Sequence, residues 1–246
     1  MRILIYGLNF SPELTGIGKY TGEMAAWLAG RGHQVRVVTA PPYYPDWKIA
    51  TGYSAARYVI EQCESVHVWR APLWVPFRPG GAKRMLHLVS FALSSLPLLF
   101  RQLFWRPQVV WVAAPAFFCA PGAWLTARLC GARCWLHIQD FEVDAAFELG
   151  LLKGTALRRF ALLLERWLLR RFDRVSSISM RMVDHLFTKG VESRCVVSFP
   201  NWADIDLIRP ATRRVGADGT AGVPGNRYRV ELQIPPGAVV ALYSGN

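Results

Sequence analysis

From the first residues, short apolar runs alternate with longer segments whose apolar positions recur three and four apart. Arg2–Tyr6, Gln34–Ala40, Val66–Arg70, Val109–Ala113, Arg133–Ile138, Val175–Ile178 and Cys195–Phe199 read as seven strands. Gly18–Ala29 carries Tyr20, Met24, Trp27 and Leu28 at helical spacing before Gly30 and Gly32 stop it. Gly81–Trp105, Ala116–Leu129, Thr155–Phe172 and Met180–Lys189 read as further helices. This alternation predicts an α/β fold, a Rossmann-like doubly wound parallel sheet. Pro41–Tyr58, rich in proline and aromatic residues, reads as a long loop.

Residues 1–210 read as one domain, 211–237 as a Gly-rich linker with a short helix, and 238–246 as the first strand of another domain. One strand cannot bury both its faces, so a chain stopping just after Val239–Tyr243 is expected to be truncated there.

Composition narrows the class. With 52% apolar and only 19% charged residues, the chain is not intrinsically disordered. Basic residues outnumber acidic ones 29 to 17, and 24 of the basic residues are Arg, which suits phosphate-rich or anionic partners. The five cysteines are scattered, with no C-x-x-C pair and no His at metal-ligand spacing, so neither a disulfide framework nor a metal site is expected. The N-terminus enters a strand directly, without the pattern of a signal peptide. The charge-free stretch Met85–Phe100 holds His87, three serines and Pro97 and falls short of the ~20 apolar residues of a spanning helix. A cytoplasmic protein, able to lie on a membrane surface, is the expectation.

Three stretches could carry chemistry. Gly16 and Gly18, between the first strand and first helix, would let a phosphate or sugar oxygen approach the backbone, although a tight turn without ligand needs the same residues. The third glycine of the dinucleotide fingerprint and its acidic residue about 20 positions on are missing, which disfavours NAD. His137, Gln139, Asp140, Glu142 and Asp144 follow one another at the carboxyl end of a central strand, where open parallel sheets bind ligands. On the helix Leu157–Arg171 a step of about 100° puts Arg158, Arg159, Arg166 and Arg170 on one arc, with Leu157, Phe160, Leu164, Trp167 and Leu168 opposite. Such a helix either packs with a solvated Arg face or lies on an anionic bilayer. Arg78–Arg106, basic at both ends and apolar between, adds weight to the bilayer. No nucleic-acid recognition motif accompanies the charge, so no nucleic-acid partner is expected.

Taken in order, Ser11-Pro-Glu-Leu-Thr-Gly-Ile-Gly-Lys-Tyr20, Gly32-His-Gln-Val-Arg-Val-Val-Thr-Ala-Pro-Pro-Tyr43, His137-Ile-Gln-Asp140, Ser177-Ile-Ser179 and Pro200-Asn-Trp202 resemble the acceptor half of a family 4 retaining glycosyltransferase of the GT-B type. The resemblance runs from Arg2 to Asn246 except for Arg213–Asn226. It implies transfer of fucose from GDP-fucose to a lipid-pyrophosphate-linked glycan, an exopolysaccharide intermediate of the colanic acid kind, at the anionic inner face of the plasma membrane. It further implies a front-face retaining mechanism in which the donor's own phosphate oxygen takes the acceptor proton, so that no cofactor, metal or protein nucleophile is needed. By position it makes His137 and Asp140 catalytic, with Gln139 standing where many relatives have His. Glu13, Gly16, Gly18, Tyr43, Tyr44 and Gln139 would bind substrate or phosphate. Lys83, Arg84, Arg101, Arg158, Arg159, Arg166 and Arg170 would meet the membrane. The nucleotide-binding second domain of the family lies beyond this sequence, so the 246-residue chain alone is expected to be inactive. The alternative is a non-catalytic membrane-associated binding or scaffold protein using the same half fold.

Overall fold

Apolar strands too hydrophobic for one wet face assemble a sheet covered on both sides. The computed structural model describes residues 1–113, 116–141, 143–144, 147, 154–205, 214–215, 221–222, 231–235 and 238–240. Strands β1 (Arg2–Tyr6), β2 (Gln34–Thr39), β3 (Val59–Cys63), β4 (Val66–Arg70), β5 (Val109–Ala113), β6 (Arg133–Ile138), β7 (Arg174–Ser177) and β8 (Val196–Ser198) form one sheet in the order β3-β4-β2-β1-β5-β6-β7-β8. All neighbours are parallel except β3 and β4. The chain winds outward from β1 to β2 and β4, then returns to the other side of β1 with β5. The β1/β5 boundary is therefore the topological switch point, where such sheets open a crevice at their carboxyl ends.

The pleat sorts the core in two. Leu4 and Tyr6 of β1 join the larger cluster, against helices α2 (Gly81–Ser94), α3 (Leu96–Trp105), α4 (Ala116–Cys130) and α5 (Thr155–Leu169). Ile3 and Ile5 point the other way, toward Ala25 of α1 (Gly16–Gly30). On α4 the inward residues are Cys119, Ala120, Ala123 and Ala127, small enough for close approach to the sheet. Helix α6 (Met180–Thr188), capped by the Ser179 hydroxyl, adds Leu186 to the larger cluster.

The α/β class and all seven expected strands are present, and two local expectations are corrected. Val59–Cys63, read as a gap between a loop and a strand, is the edge strand β3, turned into β4 by Glu64 with a positive φ of 52°. Its polar alternation is that of a half-wet edge, and its turn lacks the Asn-Gly or Asp-Gly signal that marks a hairpin. The single helix expected over Gly81–Trp105 is two: Ser95 is buried with its hydroxyl 2.7 Å from that of Tyr6, and Pro97 supplies no N–H to continue the ladder. By length and composition this whole run is apolar enough to cross a membrane, more so than the charge-free count suggested. Here it packs on the sheet through His87, Phe91, Leu98, Leu99 and Gln102. The apolar arc of α5, which the sequence left free either to pack or to face a bilayer, is divided: Leu168 packs inward, unlike Phe160, Leu164 and Trp167. These three are exposed, and the inward residues are Glu165, Leu168 and Leu169.

The chain divides into two compact units, Met1–Asn201 and Trp202–Asn246. In the second, the short strands β9 (Arg214–Val215) and β10 (Ala221–Gly222) pair antiparallel within the expected linker. The strand expected over Val239–Tyr243 falls partly outside the described residues, and Val239 and Val240 are not in a strand.

Arg70, 1% exposed at the end of β4, joins three segments. Its guanidinium donates to Glu61 Oε1 of β3 at 2.7 Å, to the Ala40 carbonyl after β2 at 2.8 Å and to the Ser11 carbonyl of the β1–α1 loop at 2.6 Å. Arg70→Met should cost about 3 kcal/mol, because it strands the buried Ala40 carbonyl, the half-buried Ser11 carbonyl and a carboxylate at once. Urea unfolding with an unchanged midpoint would show these contacts to be dispensable.

Candidate active site

The β1–α1 loop is organised around a buried carboxylate. Glu13 is 6% exposed. Its Oε1 accepts the backbone N–H groups of Tyr43 and Tyr44, both at 3.0 Å, and its Oε2 accepts the Asn9 amide at 2.9 Å. Burial pushes the carboxyl above its ordinary value, while those hydrogen bonds and the charge of Arg70 pull it back. Gly18 makes room for it: a Cβ there would lie 2.7 Å from Glu13 Cβ. Glu13 and Gly18 thus stand behind the site and set its walls, whereas Gly16, with φ of +59°, lines it.

A cleft of about 250 Å³ opens at the switch point. The β1–α1 segment contributes Asn9, Thr15 and Gly16; the segment after β2 contributes Tyr43, Tyr44 and Trp47; Gln139 and Asp140 enter from the end of β6. Helix α2 supplies Arg84 and His87. The aromatic wall is internally packed: Trp47 meets Tyr43 edge-on at 5.6 Å between centroids, and His87 lies 4.7 Å from Tyr43 and 5.1 Å from Trp47. Arg84 sits 5.5 Å over the Trp47 ring, so a residue expected at the membrane surface also borders the cleft. Sequence reasoning treated His87 only as a polar break in an apolar run. Its one signal was polarity on the inward stripe of a helix. His87 Nδ1 lies 2.7 Å from the Trp74 carbonyl, which can only accept, so Nδ1 carries the proton and Nε2 is bare. Burial lowers its pKa.

His137 and Asp140 are not equivalent. Asp140 is exposed at the mouth of the cleft. His137 is 2% exposed and does not line it. The Trp135 indole donates to Ser176 Oγ at 2.8 Å, Ser176 Oγ lies 2.9 Å from His137 Nδ1, and His137 Nε2 lies 3.4 Å from the Gln139 amide nitrogen. The imidazole also stacks on Trp111 at 5.4 Å. The chain of contacts surfaces at Gln139, 8% exposed, which is the member that reaches the cleft.

The backbone beyond Asp140 is pinned by charge. Lys189, 4% exposed, contacts Asp144 at 2.7 Å and Glu165 at 2.5 Å, and His185 Nε2 lies 2.9 Å from Asp144. Burial would raise the Asp144 pKa, but hydrogen bonds from Lys189 and His185 outweigh it and hold the group below its ordinary range. Asp144 therefore belongs to this clamp, and Glu142 lies outside the described residues. Among the described residues no group of three or more His, Cys, Asp or Glu side chains is placed to hold a metal. Of the seven expected membrane-facing residues, Lys83, Arg84, Arg101, Arg158, Arg159, Arg166 and Arg170 are all exposed.

Comparison with known proteins gives a consistent frame. Residues 15–202 match the glycosyl transferase 4-like domain. The whole chain is 47% identical over 249 aligned residues to WcaI of Escherichia coli (strain K12), a glycosyl transferase assigned to colanic acid biosynthesis; the chain spans 59% of that protein's length. In three dimensions it is similar to the sucrose-phosphate synthase of Thermosynechococcus elongatus, with a TM-score of 0.59 at 12% identity, covering 96% of this chain and 53% of that one. A segment of the same enzyme matches with a TM-score of 0.52, over 82% of this chain and 91% of the segment. The sheet and its helices are those of a GT-B, Rossmann-like domain.

Burial lowers the pKa of His137 from 6.5 to about 4. Above pH 6.5 the imidazole is neutral folded and unfolded, and it contributes nothing to the pH dependence of stability. Between 6.5 and 4 the unfolded chain takes the proton and the folded one does not, so stability falls with pH, by about 3 kcal/mol in all. His137→Gln should remove one proton's worth of that slope, about 1.4 kcal/mol per pH unit. Denaturant midpoints across this window are the measurement; parallel curves for the two proteins would show that His137 titrates normally in the fold.

Proposed function

Because the chain belongs to the glycosyl transferase 4-like family, we propose that the whole protein transfers fucose from GDP-fucose to a lipid-pyrophosphate-linked sugar, an exopolysaccharide intermediate of the colanic acid kind. The switch-point cleft is the acceptor side of its active site. The observation that carries this reading is the cleft itself: aromatic rings and a few convergent polar groups, the make-up of a small-molecule site, in a chain 47% identical to WcaI throughout. Tyr43, Tyr44 and Trp47 offer flat apolar surface to sugar rings. The left-handed turn at Gly16, leading into α1, brings free backbone N–H groups toward a phosphate oxygen.

In this reaction the bond between the sugar anomeric carbon and the GDP phosphate breaks as the acceptor oxygen bonds to the same face of that carbon. The acceptor's proton passes to the departing phosphate oxygen. Nothing in that balance requires a protein nucleophile, a metal or a cofactor besides the nucleotide sugar. Asp140 orients the acceptor hydroxyl at the mouth, and Gln139 holds the sugar, itself backed by His137. Asp140→Asn in the whole protein should lower kcat by about 100-fold without lowering Tm. His137→Ala should lower both, since it acts from within the sheet. Turnover of labelled GDP-fucose, measured beside thermal melting, decides; full activity of Asp140→Asn would remove the carboxylate from the mechanism.

The same reading seats the protein on the anionic cytoplasmic face of the plasma membrane. Helix α5 turns Phe160, Leu163, Leu164 and Trp167 outward, flanked by Arg159, Arg166 and Arg170. Helices α2 and α3 expose Leu86, Leu93, Phe100 and Phe104 near Lys83 and Arg101. Apolar groups beside Arg fit the interface of a bilayer better than they fit water. Binding to anionic vesicles should weaken with salt and with Gln at Arg158, Arg159, Arg166 and Arg170, each contributing about 1 kcal/mol. Phe100 and Phe104 are the exposed rings of α3, so Phe100→Ser with Phe104→Ser should reduce the salt-resistant remainder. Cosedimentation that is equal on neutral and anionic vesicles would count against the membrane role.

A further inference from the structure

A second, larger cleft of about 520 Å³ lies at the opposite end of the strands, between the carboxyl ends of α4 and α5. Arg128, Arg133, Arg170 and Arg171 line it together with Trp124 and the single carboxylate of Asp173. Asp173 is already engaged: it accepts from Arg133 at 2.8 Å and from the Cys134 N–H at 2.9 Å. Arg170 donates to the Gly190 carbonyl, and Arg171 lies 4.7 Å over the Trp167 ring. Carbonyl ends of two helices account for some positive charge here, but not for four guanidinium groups facing one carboxylate.

Beside this cleft the outer surface is apolar. Leu125 and Leu129 on α4 are 51% and 64% exposed, and Leu163 and Trp167 on α5 are 63% and 46% exposed. The two helices are joined by an edge contact between Trp124 and Trp167, with centroids 6.1 Å apart. Forked donors that grip phosphate in pairs thus adjoin a surface suited to acyl chains.

We propose that this cleft binds the phosphate headgroup of an anionic glycerophospholipid, fixing how the protein lies on the bilayer. The proposal rests on the membrane reading above and adds to it a discrete site, set apart from the sugar cleft. Bulk attraction between Arg and a charged surface depends on charge alone. A guanidinium cleft distinguishes an accessible phosphate from a carboxylate of equal charge.

The test uses the 246-residue chain with phosphatidylcholine vesicles carrying either phosphatidic acid or oleate, matched in surface potential. The natural chain should bind the phosphatidic acid vesicles more tightly, by about tenfold, the gain of one or two bidentate contacts. Arg128→Gln with Arg171→Gln should abolish that preference. Arg158→Gln with Arg159→Gln, the same charge removed outside the cleft, should weaken both kinds of vesicle equally and leave the preference intact. Arg128→Lys with Arg171→Lys keeps the charge and loses the forks, so it should retain overall binding while losing the preference, and melting temperatures will verify folding. Equal binding to both vesicles would overturn the headgroup site and leave the membrane reading standing. Failure to bind either vesicle would overturn both. Glycerol 3-phosphate binding as tightly as the vesicles, without regard to Leu129→Ser or Trp167→Ser, would overturn the lipid assignment in favour of a soluble phosphate ligand.

Discussion

The aromatic wall of the switch-point cleft depends on a carboxylate that never reaches it. Glu13 gathers the N–H groups of Asn9, Tyr43 and Tyr44, tying the loop after β1 to the loop after β2. Gly18 is the space that carboxylate occupies, and Arg70 answers its charge while holding the Ser11 carbonyl of the same loop. A buried carboxylate costs several kcal/mol unless its lone pairs are filled, so the three donors and the two loop conformations are selected together. The cleft is the surface of that internal arrangement: its aromatic wall stands where Glu13 places the backbone.

The opposite wall follows the same design with other groups. Asp140 projects from a strand end between two supports, the run Trp135, Ser176, His137 and Gln139 on one side and the Lys189, Asp144, Glu165 and His185 clamp on the other. The side chains of these supports hold one another, so an exposed carboxylate is presented by a braced strand end. Preorganisation of this kind lets a few groups act on a reaction without paying for their own ordering at that moment.

The outer helical layer shows a different balance. Helix α5 buries Glu165 with Lys189 and exposes Phe160, Leu163 and Trp167. A helix in water would gain by rotating the rings inward. The buried ion pair, anchored through Asp144 to the backbone beyond β6, fixes the opposite rotation. The exposed rings are therefore a consequence of the same clamp that steadies the backbone beyond Asp140, and the switch-point cleft and the apolar surface belong to one mechanical unit.

By itself the sequence determined the class of fold, because the periods of β1, α1 and β2 and the doubly apolar strands are local properties that only a covered parallel sheet accommodates. It also put the glycine loop and the polar run after β6 at strand ends, which is where the cleft opens. Tertiary structure alone decided which side chains face that site. Gln139 reaches the cleft and His137 does not, because the pairing of β6 with β7 sets His137 against Ser176 within the sheet. His87 and Arg84 enter from a helix some 50 residues away in sequence from Gln139 and Asp140, a meeting no local pattern records. The wheel of α5 correctly separated its Arg arc from its apolar arc, but a periodicity carries no zero of angle. Only Glu165, paired with Lys189 of the segment after α6, shows that the seam between the two arcs turns toward the protein, with Leu168 and Leu169 beside it.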